Sequence, residues 1–172
     1  MKELLLMFAH DTQRADAAVF ALLEGLSVEA RNENRKSYYS SLSGLAVHAV
    51  GGVPYFHGLF RSAIPGAAAA LKATEHLSMP EGETLTAAQW KELAENAAVA
   101  DQATVDFIAA LDEADLARPI KIDWYGGKPD SVPLYFLLSS AYTHGVHHRG
   151  QISQILDEMG IDHDFSGLAL EA

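Results

Sequence analysis

The chain has 172 residues, 49% hydrophobic and 20% charged, which suits a single folded domain over residues 1–172 and excludes disorder on composition. With 23 acids against 12 bases the formal net charge is −11, and such a surface repels phosphate backbones, so nucleic acid is not an expected partner. There is no cysteine, which excludes disulfides and thiolate metal ligands, leaves histidine, carboxylate or water for any transition-metal site, and fits a reducing cytoplasm.

Leu5, Phe8, Ala15, Val19, Leu22 and Leu23 recur at close to a helical period, which predicts a first helix over residues 2–25 with Gly25 as its stop. The apolar run Leu4-Leu5-Leu6-Met7-Phe8-Ala9 is too short for a membrane span, and Asp11, Arg14 and Asp16 follow at once. It lacks a small-residue cleavage pattern as well, so it reads as helix and the protein as cytoplasmic, with no membrane partner. The polar stretch from Ser27 to Tyr39 reads as a connection. Leu42, Leu45, Ala46, Ala49 and Val50 resume the helical pattern behind Ser40 or Ser41 as cap. This second helix is expected to run through Gly51-Gly52 and Pro54 with a kink, on to Phe60.

Ile64 to Pro80 opens with a Pro-Gly turn signal and leaves room for a short alanine-rich helix. Thr84 to Leu116 carries the longest helical pattern. Thr86 and Gln89 have capping-box spacing, and Trp90, Leu93, Ala97, Ala100, Val105, Ile108 and Leu111 supply the apolar stripe. Arg118 to Trp124 is strand-like and precedes the turn Tyr125-Gly-Gly-Lys-Pro129, which makes either a small hairpin or a long loop. The last helix starts near Val132 or Pro133 and stops at Gly160. Together these elements predict an all-α fold: a mostly antiparallel four-helix bundle with a small irregular or hairpin segment before the last helix.

Eight histidines are the informative residues. His144 and His148 lie four apart on the last predicted helix, so at 100° per residue they point about 40° apart on one face. That spacing lets two imidazoles converge on one metal ion. Leu137, Leu138, Ala141, Ile152, Ile155 and Leu156 put one face of this helix in the core, where unsatisfied ring nitrogens are costly and a metal would satisfy them. Histidine pairs at this spacing are also common on helix surfaces, and His147 shares a side with His144 at three-residue spacing. Geometry alone does not choose between His147 and His148. A third ligand has to come from elsewhere. His48, among Leu45, Ala46, Ala49 and Val50, is the first candidate and His57 the second; His10 precedes a polar stretch, and His76 and His163 sit in polar or acidic surroundings that predict solvated rings.

The segment Thr143-His-Gly-Val-His-His-Arg-Gly-Gln-Ile152 resembles the carboxy-terminal motif of the DinB-like family, a histidine separated by three residues from His-Arg-Gly-Gln. The resemblance implies that the ligand directly preceding Arg-Gly-Gln is His148, that its partner is His144, and that His147 intervenes. It places the family's first ligand in a leucine-rich stretch of the second helix, matched here by Gly44-Leu-Ala-Val-His48. The Gly25-Leu-Ser27 helix end, Ser37-Tyr-Tyr-Ser40, Gly126-Gly127 and Glu158-Met-Gly160 look similar to the family layout too. Many relatives carry tryptophan after the first ligand, whereas this chain reads Gly51-Gly-Val-Pro-Tyr-Phe56. That departure concerns the pocket wall and substrate preference rather than the ligands.

The resemblance thus implies one divalent metal ion, zinc or nickel, on His48, His144 and His148. Three imidazoles leave a position for water, the catalytic rather than the structural arrangement. Family members are linked to metal-dependent hydrolysis and to transfer reactions of low-molecular-weight thiols, so a small-molecule substrate and a homodimer are expected. The alternative is a non-enzymatic metal-binding or stress-response protein. Arg149 is expected in an ion pair, Gln151 as an orienter of a ligand or a packing residue, and Asp11 or Asp16 as a hydrogen-bond partner of an imidazole.

Overall fold

The computed structural model describes residues 1–123, 126, 128–165 and 167–168. Among these, helices dominate: α1 (Lys2–Glu24), α2 (Val28–Asn32), α3 (Leu42–Gly51), α4 (Val53–Ala63), α5 (Ala87–Ala110) and α6 (Leu134–Glu158). Two 3-10 helices, Ala68–Thr74 and Glu113–Ala117, and two short strands, β1 (Pro119–Lys121) and β2 (Ser131–Pro133), complete the order. α1 packs along α5 and α6, and α3 lies against α6. No helix among the described residues is long and apolar enough to cross a membrane.

The stretch expected to be a bare connection contains α2. Ser27 caps it by accepting from the Ala30 N–H, and its Arg31 has a structural task. The buried guanidinium donates to the carbonyls of Leu23, Glu24 and Leu26 at 2.8–3.2 Å, satisfying the open end of α1. It also lies 4.7 Å over the ring of Trp90, which fixes α2 to α5.

The second predicted helix is two helices. α3 ends at Gly51, and Pro54 falls in the first turn of α4, where its missing N–H is harmless. Within α3 the same proline would have broken the hydrogen-bond ladder. α5 begins as predicted, with the reciprocal Thr86–Gln89 capping box, but stops at Ala110 instead of reaching Leu116. Asp112 and Asp115 then cap the 3-10 turn Glu113–Ala117. The alanine-rich segment is a 3-10 helix rather than an α-helix.

The segment before the last helix is a hairpin: Pro119, Ile120 and Lys121 pair antiparallel with Pro133, Val132 and Ser131. Ile120 and Val132 face the core from its two strands. Val132 and Pro133, expected to open the last helix, belong to β2, and α6 starts at Leu134. The predicted turn Tyr125–Pro129 lies partly outside the described residues, as do Trp124 and Gly127.

The core has two lobes. One gathers Leu5, Phe60, Ile64, Phe107, Ile108 and Leu134, with Phe60 and Phe107 stacked at 5.5 Å. The other gathers Val19, Leu23, Leu42, Leu45, Trp90 and Ile152. Leu42, Leu45 and Ala46 face this second lobe, which holds α3 against its neighbours and sets His48 at the edge of the packed region.

Candidate metal centre

α6 presents His144 and His148 one turn apart, and α3, packed on α6, brings His48 to them. The ring centroids stand 4.3 Å apart for His144 and His148, 4.6 Å for His48 and His148, and 5.0 Å for His48 and His144. One nitrogen from each ring lies within 4.8 Å of the others, so the cluster could hold a metal ion. Zn–N bonds of ~2.1 Å in a tetrahedral site require nitrogens roughly 3.4 Å apart, so the rings would close on a bound ion. His148 is buried, His48 half-buried and His144 exposed, so the cluster is anchored at one end and open at the other.

A hydrogen bond fixes the tautomer of the buried ring. His148 Nδ1 donates to Gln151 Oε1 at 2.6 Å, one turn further along α6, which leaves Nε2 with a free lone pair. Burial lowers the His148 pKa to about 4, although Gln151 favours the charged ring; His144, His48 and His147 add to the lowering. His48 is lowered too, first by burial and then by His144. Both imidazoles are therefore neutral near pH 7, the form that coordinates a cation.

Tyr39 completes the wall. Its ring stacks on His48 at 4.1 Å, and its hydroxyl lies 2.7 Å from His48 Nε2. The loop can carry it there because residue 44 is glycine. A Cβ at Gly44 would collide with the Tyr39 carbonyl oxygen, so the first turn of α3 has to be bare for the loop to cross it. Four residues later on the same face stands His48. No local spacing in the sequence pointed to Tyr39, nine residues upstream in a polar stretch.

The remaining histidines fall outside the cluster. His147 is exposed, its ring 4.9 Å from that of His148. His76 is exposed, while His10 and His163 are half-buried, and His163 bonds to the Ile161 carbonyl at 2.9 Å rather than standing free. His57, the second candidate for the third ligand, is 1% exposed and held between Thr74 and Thr104 at 3.1 and 2.9 Å. Thr74 already gives its proton to the Leu71 carbonyl and receives Arg61. A neutral ring donates from Nδ1 to Thr74, while Nε2 competes with the Ala100 carbonyl, also 2.9 Å away, for the single hydroxyl proton of Thr104.

Burial, followed by Arg61, lowers the His57 pKa from 6.5 to about 4. The unfolded ring takes up a proton below 6.5 and the folded ring only near 4, so stability falls as pH drops through this window and levels off beneath it. The shift corresponds to about 3 kcal/mol. Chemical unfolding at pH 7 and pH 4 is expected to show that much less acid loss in His57→Gln than in the parent; equal losses would refute it.

Beside the cluster runs a polar contact between two helices. Arg149 Nη1 of α6 meets Asp16 Oδ1 of α1 at 2.8 Å, with side chains only 6% and 14% exposed. Gly145, one turn before Arg149, is bare, and a Cβ there would stand 3.0 Å from Arg149 Nη1. The expected ion pair of Arg149 is thus present. Asp11 and Asp16, expected beside an imidazole, instead pair with Arg14 and Arg149.

Next to His48 a cavity of about 410 Å³ is lined by Val47, Gly51, Gly52, Pro54 and the segment Leu77–Glu81. The glycines and proline that depart from the family pattern form its wall.

Comparison with known proteins gives one positive result: a model described as the DinB family matches residues 1–164. No curated protein and no solved structure matches the chain.

Proposed function

The chain belongs to the DinB family, and on that premise we propose that it binds one divalent transition-metal ion, zinc or nickel, through His48, His144 and His148. We read the framework as a four-helix bundle whose second member is divided into α3 and α4. The observation that carries the proposal is the convergence of three imidazole nitrogens within 4.8 Å, with no fourth histidine or carboxylate in the cluster among the described residues. Three protein ligands and an open position form the arrangement used in catalysis, and imidazole suits both metals. When bound, such an ion supplies Lewis acidity that brings a coordinated water's pKa to about 7 or holds a thiol as thiolate.

The protein's own residues prepare that site. Gln151 holds His148 in the Nδ1–H tautomer, and burial keeps His148 and His48 unprotonated. Tyr39 keeps the His48 ring in place by stacking, and the cavity beside His48 offers room for a small organic substrate. We infer a metal-dependent hydrolase or a low-molecular-weight-thiol S-transferase acting on a small molecule. The openness of the cluster at His144 favours this over a closed structural ion. Zinc- or nickel-loaded protein is expected to accelerate either p-nitrophenyl acetate hydrolysis or the coupling of a small thiol to 1-chloro-2,4-dinitrobenzene, and to stop when the metal is chelated. Tight metal binding without metal-dependent turnover on either probe favours the non-enzymatic reading.

The Tyr39 hydroxyl bonds to the nitrogen that His48 would offer a cation at Nε2, so it has to give way there. One neutral hydrogen bond contributes about 1 kcal/mol. Tyr39→Phe keeps the stacked ring, and in a zinc competition titration it is expected to bind about fivefold more tightly than the parent. Weaker binding would instead make the hydroxyl a ligand or a support of the bound ion.

A further inference from the structure

At the centre of the helices lies a second cavity, of about 90 Å³, lined mainly by apolar side chains of α1, α4, α5 and α6 and by two carboxylates, Asp16 and Asp101. None of the cluster histidines lines it, but Ala49 and Gly145, each next in sequence to one of them, do. Asp16 is held by Arg149. Asp101 is 8% exposed, faces the cavity, and makes no hydrogen bond or ion pair among the described residues. Arg149 is taken by Asp16, so the cavity carries an unpartnered acid in an apolar setting. An acid buried in that way is costly unless something receives it or neutralises it.

We propose that this cavity is a binding site for the ammonium or amine end of a small organic molecule, received by the Asp101 carboxyl, with the attached carbons against Phe8, Ile108 and Leu138. The chemistry selects this class. An anion would meet two acids against one arginine, and a purely apolar guest would leave Asp101 without a partner. Burial and the nearby Asp16 hold the Asp101 carboxyl well above the usual carboxylate range, which is the strain a cationic donor relieves. Since a 150 Å³ cavity takes benzene, this one suits about three or four heavy atoms. Phe8 and Tyr142, stacked at 4.1 Å and both half-buried, form its outer rim. The site does not depend on the metal centre.

The probe is propylammonium, compared with 1-propanol and propionate as neutral and anionic molecules of similar size. Amide NMR titration of zinc-loaded protein is expected to show saturable shifts around Ala49, Asp101 and Gly145 with propylammonium alone. A dissociation constant on the order of 1 mM is what so few atoms support. Asp101→Asn keeps the shape and is expected to weaken binding at least tenfold, with its melting temperature unchanged or raised because an unpartnered buried acid is gone. His144→Ala, which tests the metal reading separately, is expected to bind propylammonium as the parent does. The proposal is overturned if no probe saturates, if propanol or propionate binds as well, if Asp101→Asn binds equally, if Asp101→Asn melts at lower temperature, or if His144→Ala fails to bind.

Discussion

His148→Ala protein is expected to be purified with almost no zinc or nickel under conditions in which the parent carries about one ion per chain. His148 is the one buried member of the cluster, and Gln151 fixes its ring, so it is the ligand that costs least entropy to use. Losing a supporting residue outside the coordination sphere typically weakens metal binding roughly 10–100-fold, and losing a ligand costs more. Elemental analysis of the parent beside His48→Ala, His144→Ala and His148→Ala checks this. His147→Ala serves as the control that should retain metal. Full retention in all three cluster variants would eliminate the site, and loss in His147→Ala would mean the wrong face of α6 had been chosen.

The second large effect is on stability. Arg149→Met is expected to cost about 3–5 kcal/mol, the usual result of removing one partner from a buried pair. For a chain of this length that amounts to a fall in melting temperature of roughly 6–20 °C. The reason is the company Arg149 keeps. Asp16 would lose its partner, and Asp101 would lose the positive charge that opposes its burial. Burial already raises the pKa of Asp16 against the opposing pull of Arg149. Carboxyls raised in this way destabilise the fold when ionised and do so less once protonated. The loss in Arg149→Met is therefore larger at pH 8 than at pH 5, and adding Asp16→Asn recovers part of it. A pH-independent loss, or one below about 1 kcal/mol, would contradict the buried-pair account.

How far the site was legible depends on how local each piece is. The spacing of His144 and His148 follows from helix periodicity, so a four-residue interval already put both rings on one face of α6. The Thr86–Gln89 cap was readable for the same reason, because its donors and acceptors lie within one turn. The break between α3 and α4 was half legible. Gly51, Gly52 and Pro54 announced a disturbance, but whether a chain kinks or starts a new helix depends on what each half packs against. The role of Arg31 was hidden because the carbonyls it caps belong to the preceding helix and meet it only after the chain has turned.

Local pattern and composition by themselves determined a helical chain without cysteine ligands, an acidic surface, and a histidine pair beside Arg-Gly-Gln that marks the family. Tertiary structure decided which third histidine joins them. His48 and His57 lie nine residues apart in similar apolar surroundings, and the difference is that α3 packs against α6 while His57 is enclosed by Thr74 and Thr104. It also decided that Tyr39 covers His48, through a bare Gly44 that lets two backbones approach. The pairing of Asp16 with Arg149, 133 residues apart, and the exclusion of Asp101 from it have no trace in periodicity. Hydrogen bonds and charges act over a few ångströms, and only the folded chain brings such distant residues that close.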